Sequence, residues 1–122
     1  MCNIQVQYTN GLWYSAEYST FSISDEASNY RLTVAGYSGD AVDAMTAAVL
    51  PQWISDGVVF STPDRDNDGA TSDNCAATNG GGWWHGSCST SAINMDDTNA
   101  LWSTYYPPPH GVHSSHMLIR IN

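Results

Sequence analysis

The stretch DRDNDGATSDNCAATNGGGWWHGSC, residues 64–88, decides how this chain is read. Its first ten residues hold four aspartates, Asp64, Asp66, Asp68 and Asp73, and its last six hold two tryptophans and a cysteine. Three carboxylates at alternating positions, closed off by Gly69, repel one another in a tight turn unless a cation neutralises them. The loop is therefore either a hydrated linker or a cation site, and the spacing favours the site. Ca²⁺ suits it, being a hard ion that accepts carboxylates, backbone carbonyls and waters together. DRDNDG matches the first half of an EF-hand loop. The match ends there, because the twelfth loop position is Cys75 and no amphipathic helices flank the segment.

Cys75 and Cys88 bracket a glycine-rich segment that a disulfide would close easily. The chain-entropy estimate for such a closure is roughly 3 kcal/mol. With no C-x-x-C pair and no fourth thiol, the disulfide is favoured over a zinc site, which points to an oxidising, extracellular setting. Cys2 is left without an obvious partner.

The remaining composition narrows the function classes. Twelve acidic residues face three arginines and no lysine, for a formal net charge of −9 over 122 residues. Such a surface repels nucleic-acid backbones and anionic lipid and attracts cations. No apolar run is long enough to span a bilayer, so membrane insertion is not expected. The N-terminus lacks the basic and apolar regions of a signal peptide, which implies a removed signal or a piece of a longer protein.

The first third reads as strands. CNIQVQYT (2–9) alternates apolar and polar residues, Asn10-Gly11 is a hairpin turn, and LWYSAEYSTFSIS (12–24) and YRLTVAGY (30–37) follow. DAVDAMTAAV (40–49), stopped by Pro51, is the best helix candidate. From Ser55 onward the chain is loop-rich, with GVVFST (57–62) and HMLIRIN (116–122) as short strand candidates. No catalytic constellation stands out. GYSGD (36–40) fails as a nucleophile elbow at Asp40, which leaves Ser38 as a turn residue. Asp96-Asp97 reads as a hydrated turn, and His110, His113 and His116 as surface histidines.

Several segments together resemble the fibrinogen-related domain: NYRLTVAGYSGDAVDAM, DGVVFSTPDRDND, NCAATNGGGWWHGSC and the terminal HMLIR, in that order along the chain. The resemblance implies an α+β fold, an antiparallel sheet with short helices plus a loop-rich Ca²⁺-binding subdomain. Residues 1–122 would form one such domain lacking the family's N-terminal subdomain, with 1–54 mainly sheet and one helix and 55–122 the binding subdomain and a closing strand. By position, Asp66 and Asp68 would supply carboxylates to Ca²⁺, and Ala70 and Ser72 backbone carbonyls. The carbonyl pair could instead slide to Thr71 and Asp73, with Asp64 a nearby charge. The disulfide would join Cys75 and Cys88.

In lectin members such as ficolins and tachylectins, the pinned loop walls a pocket for acetyl groups. Carried onto this chain, that wall comprises Asn79, Trp84, His85, Ser87, Cys88 and Ser89. Ser89 stands where lectins usually have His, and Asn79 and His85 where members have Tyr, so the pocket is partly dismantled or rebuilt. The implied function is a secreted, non-enzymatic, Ca²⁺-dependent lectin. It would bind carbohydrate or acetylated microbial surface ligands in innate immune pattern recognition, gaining avidity as a homo-oligomer. The alternative is a protein-binding module that grips a receptor or a polymerising partner.

Overall fold

The structure is a computed structural model that describes residues 1–70, 72–95, 100–104 and 111–121. Its frame is a four-stranded antiparallel sheet in the order β3-β2-β1-β4, from β1 (Cys2–Tyr8), β2 (Trp13–Ile23), β3 (Leu32–Gly39) and β4 (Val112–Ile119). The alternation read in the first residues places Cys2, Ile4 and Val6 inward, opposite Tyr18, Ala16 and Tyr14 of β2. The other face carries Asn3, Gln5 and Gln7, flanked by Glu17, Ser15 and Trp13 on one side and by Leu118, His116 and Ser114 on the other. One face is thus greasy and one polar, as an antiparallel sheet with a single covered side requires.

The hairpin turn forms as expected. Gly11 adopts φ +85°, its N–H bonds to the Tyr8 carbonyl at 2.9 Å, and the Asn10 side chain accepts from the Leu12 N–H at 3.0 Å. A second glycine shapes the edge of the sheet. Gly36 has φ +74°, and a Cβ there would fall 1.8 Å from the Ser19 hydroxyl, so no other residue fits without displacing Ser19. The pairing passes this point from Tyr18↔Tyr37 to Thr20↔Ala35. Tyr18 and Phe21, three residues apart, both reach the core.

The inner face is covered by chain with little regular structure. Met45, Trp83, Trp84, Ala92, Ala100 and Trp102 join the strand residues in one buried cluster. Trp102 anchors the cover at both ends: its indole N–H donates to the Val42 carbonyl at 2.8 Å, and its carbonyl accepts from the Tyr8 hydroxyl at 2.8 Å. Cys2 lies fully buried with a free thiol, and burial pushes its pKa up to about 11.

Three expectations fail here. Residues 40–49 form turns, not a helix, because their polar groups are engaged by β2. Ala41 N–H donates to the Ser15 carbonyl at 2.8 Å, Asp40 accepts from the Ser15 N–H at 2.8 Å, and Asp43 accepts from the Tyr18 hydroxyl at 2.8 Å. Only Ala47 N–H to the Asp43 carbonyl, at 3.1 Å, resembles a helical turn. Residues 57–62 form no full strand either; Ser61 makes a single bridge to Trp83. Ser38 sits in β3, paired with Glu17, instead of in a turn. Asp96, Asp97 and His110 lie outside the described residues. His113 and His116 are exposed on β4.

Candidate functional site: the aspartate loop and the groove beside it

Phe60 to Cys88 is tied down by a few backbone pairs and by side chains that reach for backbone groups. The N–H and carbonyl of Ser61 pair with those of Trp83 at 2.9 and 3.1 Å. Next, Thr62 and Arg65 exchange two backbone hydrogen bonds of 3.0 Å across Pro63-Asp64, a tight turn in which proline's fixed φ suits the second position. The Thr62 hydroxyl donates to Asp64 at 2.6 Å and holds that exposed carboxyl below its ordinary pKa. Asn67 returns the chain to the scaffold: its side chain donates to the Phe60 carbonyl at 3.1 Å, and its backbone N–H donates to the Ser61 hydroxyl at 3.0 Å.

Asp68 is the hub of the loop. One carboxylate oxygen accepts from Ala70 N–H at 3.0 Å and the other from Cys75 N–H at 2.8 Å. Gly69 N–H bonds to the Gly86 carbonyl at 2.8 Å, which ties the loop to the second cysteine's segment. Asn74 caps the short helix α1 (Cys75–Asn79) by accepting from Ala77 N–H at 3.0 Å, while donating to the Pro63 carbonyl at 3.0 Å. The Cys75–Cys88 disulfide closes the assembly, with the two Cα atoms 5.3 Å apart.

The residues marked for the ligand wall are placed unevenly. Trp84 is buried, its indole N–H donating to the Tyr30 carbonyl at 2.9 Å and its ring meeting Phe60, Trp83 and Phe21 edge-on. His85 is fully buried; Nε2 lies 3.4 Å from the Gly81 carbonyl and Nδ1 has no partner. Burial lowers its pKa. Ser89 is buried in a hydroxyl triangle with Ser55 and Ser91, with sides of 2.9, 3.1 and 3.3 Å. These three side chains therefore offer little surface to an incoming molecule, and His85 none. Asn79 ends α1, half-buried, and Ser87 and Cys88 are half-buried beside the disulfide.

For a cation, Asp66 is exposed and Asp68 half-buried, with Ala70 half-buried and Ser72 exposed nearby in the chain; Thr71, one of the alternative carbonyls, lies outside the described residues. Among the described residues no group of three His, Cys, Asp or Glu side chains is gathered for a metal. The donor chemistry is still that of a hard ion. Each Asp68 oxygen accepts one N–H and keeps a lone pair, and Ca²⁺ completes its shell with carbonyls and water.

Sequence reasoning missed a groove of about 600 Å³ on the other side of the Thr62–Arg65 turn, lined by Tyr30, Phe60, Thr62, Asp64, Arg65 and the two asparagines Asn29 and Asn67. Asn29 and Tyr30 are consecutive left-handed residues, φ 56° and 53°. The Asn29 carbonyl accepts from Phe60 N–H at 2.9 Å and that of Tyr30 accepts the Trp84 indole, so the unusual backbone is held from below. The only available signal was an asparagine, which tolerates this conformation, just before Tyr30.

Comparison with known proteins agrees with this architecture. The family model described as fibrinogen beta and gamma chains, C-terminal globular domain, matches residues 1–119. The chain is 38% identical over 96 residues to the fibrinogen beta chain of Gallus gallus, covering 70% of this chain and 21% of that protein. It is 33% identical over 121 residues to fibrinogen-like protein 1 of Bos taurus, covering 88% and 38%. To angiopoietin-related protein 6 of Mus musculus it is 42% identical over 79 residues, covering 65% and 16%. The chain thus spans well under half the length of these relatives. Among solved structures, the fibrinogen-like globe domain of human ANGPTL6 superposes with a TM-score of 0.76 at 27% identity, covering 95% of this chain and 54% of that one. The globe domain of human ANGPTL2 superposes with a TM-score of 0.79 at 27% identity, covering 98% and 56%. With residues 1–119 matched by the family model and its fold shared with these globe domains, the chain belongs to the fibrinogen C-terminal globular domain family.

Proposed function

We propose that this chain is an extracellular, non-enzymatic protein-binding module whose aspartate loop holds a structural Ca²⁺. The observation that carries the protein-binding reading is the burial of Trp84, His85 and Ser89, which removes three of the six side chains an acetyl-binding wall would need. The relatives named above support it as well: they are a fibrinogen chain, a fibrinogen-like protein and an angiopoietin-related protein. The carbohydrate and innate-immunity readings are accordingly set aside in favour of a protein partner. The disulfide supports an oxidising compartment, and no helix among the described residues is long and apolar enough to cross a membrane.

In this reading Asp66 and Asp68 supply the carboxylates, and the Ala70 and Ser72 carbonyls complete the protein's share. The bound ion would screen the alternating charges and fix the loop's outline. Residues 1–122 act as one domain that corresponds to the C-terminal portion of the family's larger unit. The test is paired. Retention is measured on N-acetylglucosamine and chitin resins with Ca²⁺ and with EDTA, and binding is measured in parallel to a displayed panel of extracellular proteins. The module reading expects no sugar-elutable retention and Ca²⁺-sensitive capture of a protein. Retention released by free acetylated sugar overturns it.

A further inference from the structure

The groove beside the Thr62–Arg65 turn holds a guanidinium that makes no hydrogen bond among the described residues. Of the three arginines, Arg31 donates to the Gly57 carbonyl and Arg120 stands beyond the end of β4. The guanidinium of Arg65 makes no hydrogen bond or ion pair among the described residues; its charge acts on Asp64 and Tyr30, with which it shares a concave surface. Around it lie two rings, Tyr30 and Phe60. The Tyr30 ring is fixed by its hydroxyl, which donates to Glu26 at 3.1 Å. Asp64, fastened by Thr62, offers its second carboxylate oxygen.

We infer that this groove receives a peptide segment of a partner protein that carries an acidic side chain next to an apolar one. The carboxylate takes the planar fork of Arg65, a backbone N–H beside it donates to Asp64, and the apolar neighbour lies on Tyr30 and Phe60. The inference rests on the protein-binding reading and supplies its contact chemistry.

The sign of the partner follows from the rest of the surface. With twelve acidic residues spread over the chain, a basic segment finds attraction almost everywhere and is not directed to any one place. An acidic segment is repelled by most of the surface and accepted at the unpaired Arg65, so the same charge distribution provides both the attractive and the repulsive element of specificity. Long-range repulsion is screened within about 8 Å at physiological salt, whereas a bidentate contact is not.

The buried Trp84 indole is a built-in reporter, because it donates to the carbonyl of Tyr30 at the groove's edge. The experiment follows that indole N–H by NMR while the whole chain is titrated with short acetylated, amidated peptides containing Phe-Glu, Phe-Gln or Phe-Lys, and with N-acetylglucosamine. The Phe-Glu peptide is expected to shift the Trp84 signal and to bind about tenfold or more tightly than Phe-Gln, the discrimination of one charge-assisted contact. Arg65→Gln abolishes that preference, while Arg120→Gln, which removes a charge outside the groove, preserves it; unchanged sheet resonances show that both variants fold. Equal binding of Phe-Glu and Phe-Gln, a preference for Phe-Lys, or an unaltered preference in Arg65→Gln overturns the groove assignment and leaves the protein-binding reading standing. A response to N-acetylglucosamine with none to any peptide overturns both.

Discussion

The sheet and the aspartate loop are folded by different forces. In β1 and β2 the ladder satisfies the backbone, and side chains serve packing: Cys2, Ile4, Val6, Ala16 and Tyr18 are all buried. Among the described residues between Phe60 and Cys88 there is one five-residue helix and otherwise bridges and turns. There, besides a few backbone pairs, the backbone is satisfied by Asp68, Asn67, Asn74 and the Ser61 hydroxyl, and a disulfide limits how far the chain can open. Buried backbone groups must find partners somewhere, and a loop without regular structure finds them in polar side chains. The first region is specified by where apolar residues fall, and the second by a few polar ones.

That contrast can be broken at its strongest points first. Ile4→Ala leaves a cavity in the sheet's covered face and is expected to cost about 2–5 kcal/mol, read from urea unfolding. Replacing both cysteines, Cys75→Ala with Cys88→Ala, is expected to cost about 3 kcal/mol by freeing the unfolded chain, and the loss should match that of the reduced wild type. If the double variant unfolds at the wild-type midpoint, the loop does not need its covalent tie.

Asp68→Asn keeps the shape but exchanges a charged acceptor of two N–H groups for an amide with one acceptor, at a cost of about 2 kcal/mol. It should also abolish any rise in melting temperature on adding Ca²⁺, which Asp25→Asn should not.

His85 gives a pH test with a definite sign. Its folded pKa lies below the ordinary value because burial disfavours the charged form. The unfolded chain therefore binds more protons as pH drops through about 6.5. Stability should fall from there toward the folded pKa and be unaffected by His85 above it. His85→Gln should remove that share of the acid slope in unfolding titrations from pH 8 to 5. At the small end, Gln5→Ala on the polar face should change stability by no more than about 0.5 kcal/mol. A larger effect would mean that this face is covered in solution.

How much was legible in the sequence follows the same division. Period-two alternation located β1, where each alternate residue reports burial directly. The aromatic and β-branched content after the Asn10-Gly11 turn and the polar break before Tyr30 placed β2 and β3 to within a few residues. β4 begins at Val112 instead of His116, since His113, Ser114 and Ser115 carry no apolar signal; Ser114 and Ser115 join the sheet by pairing with β1, and the register shifts at His113. The run DAVDAM looked helical by composition, yet its aspartates are engaged by Ser15 and Tyr18, partners that only the fold brings near. The disulfide was readable from two cysteines and the glycines between them. The inward turn of Trp84 was not, because its neighbours Tyr30, Phe60 and Phe21 come from three separate segments. Nor was the groove, which needs two left-handed residues and a turn more than thirty positions later.

The most direct test of the division is residue-resolved hydrogen exchange of Asp68→Asn against wild type. The account predicts faster exchange at the amides of Gly69, Ala70 and Cys75, by roughly ten- to a hundredfold, with the β1 amides paired to β2 and β4 unchanged, because local opening of a loop is cheaper than global unfolding. Equal acceleration throughout the sheet would contradict it and show that loop and sheet open as one unit.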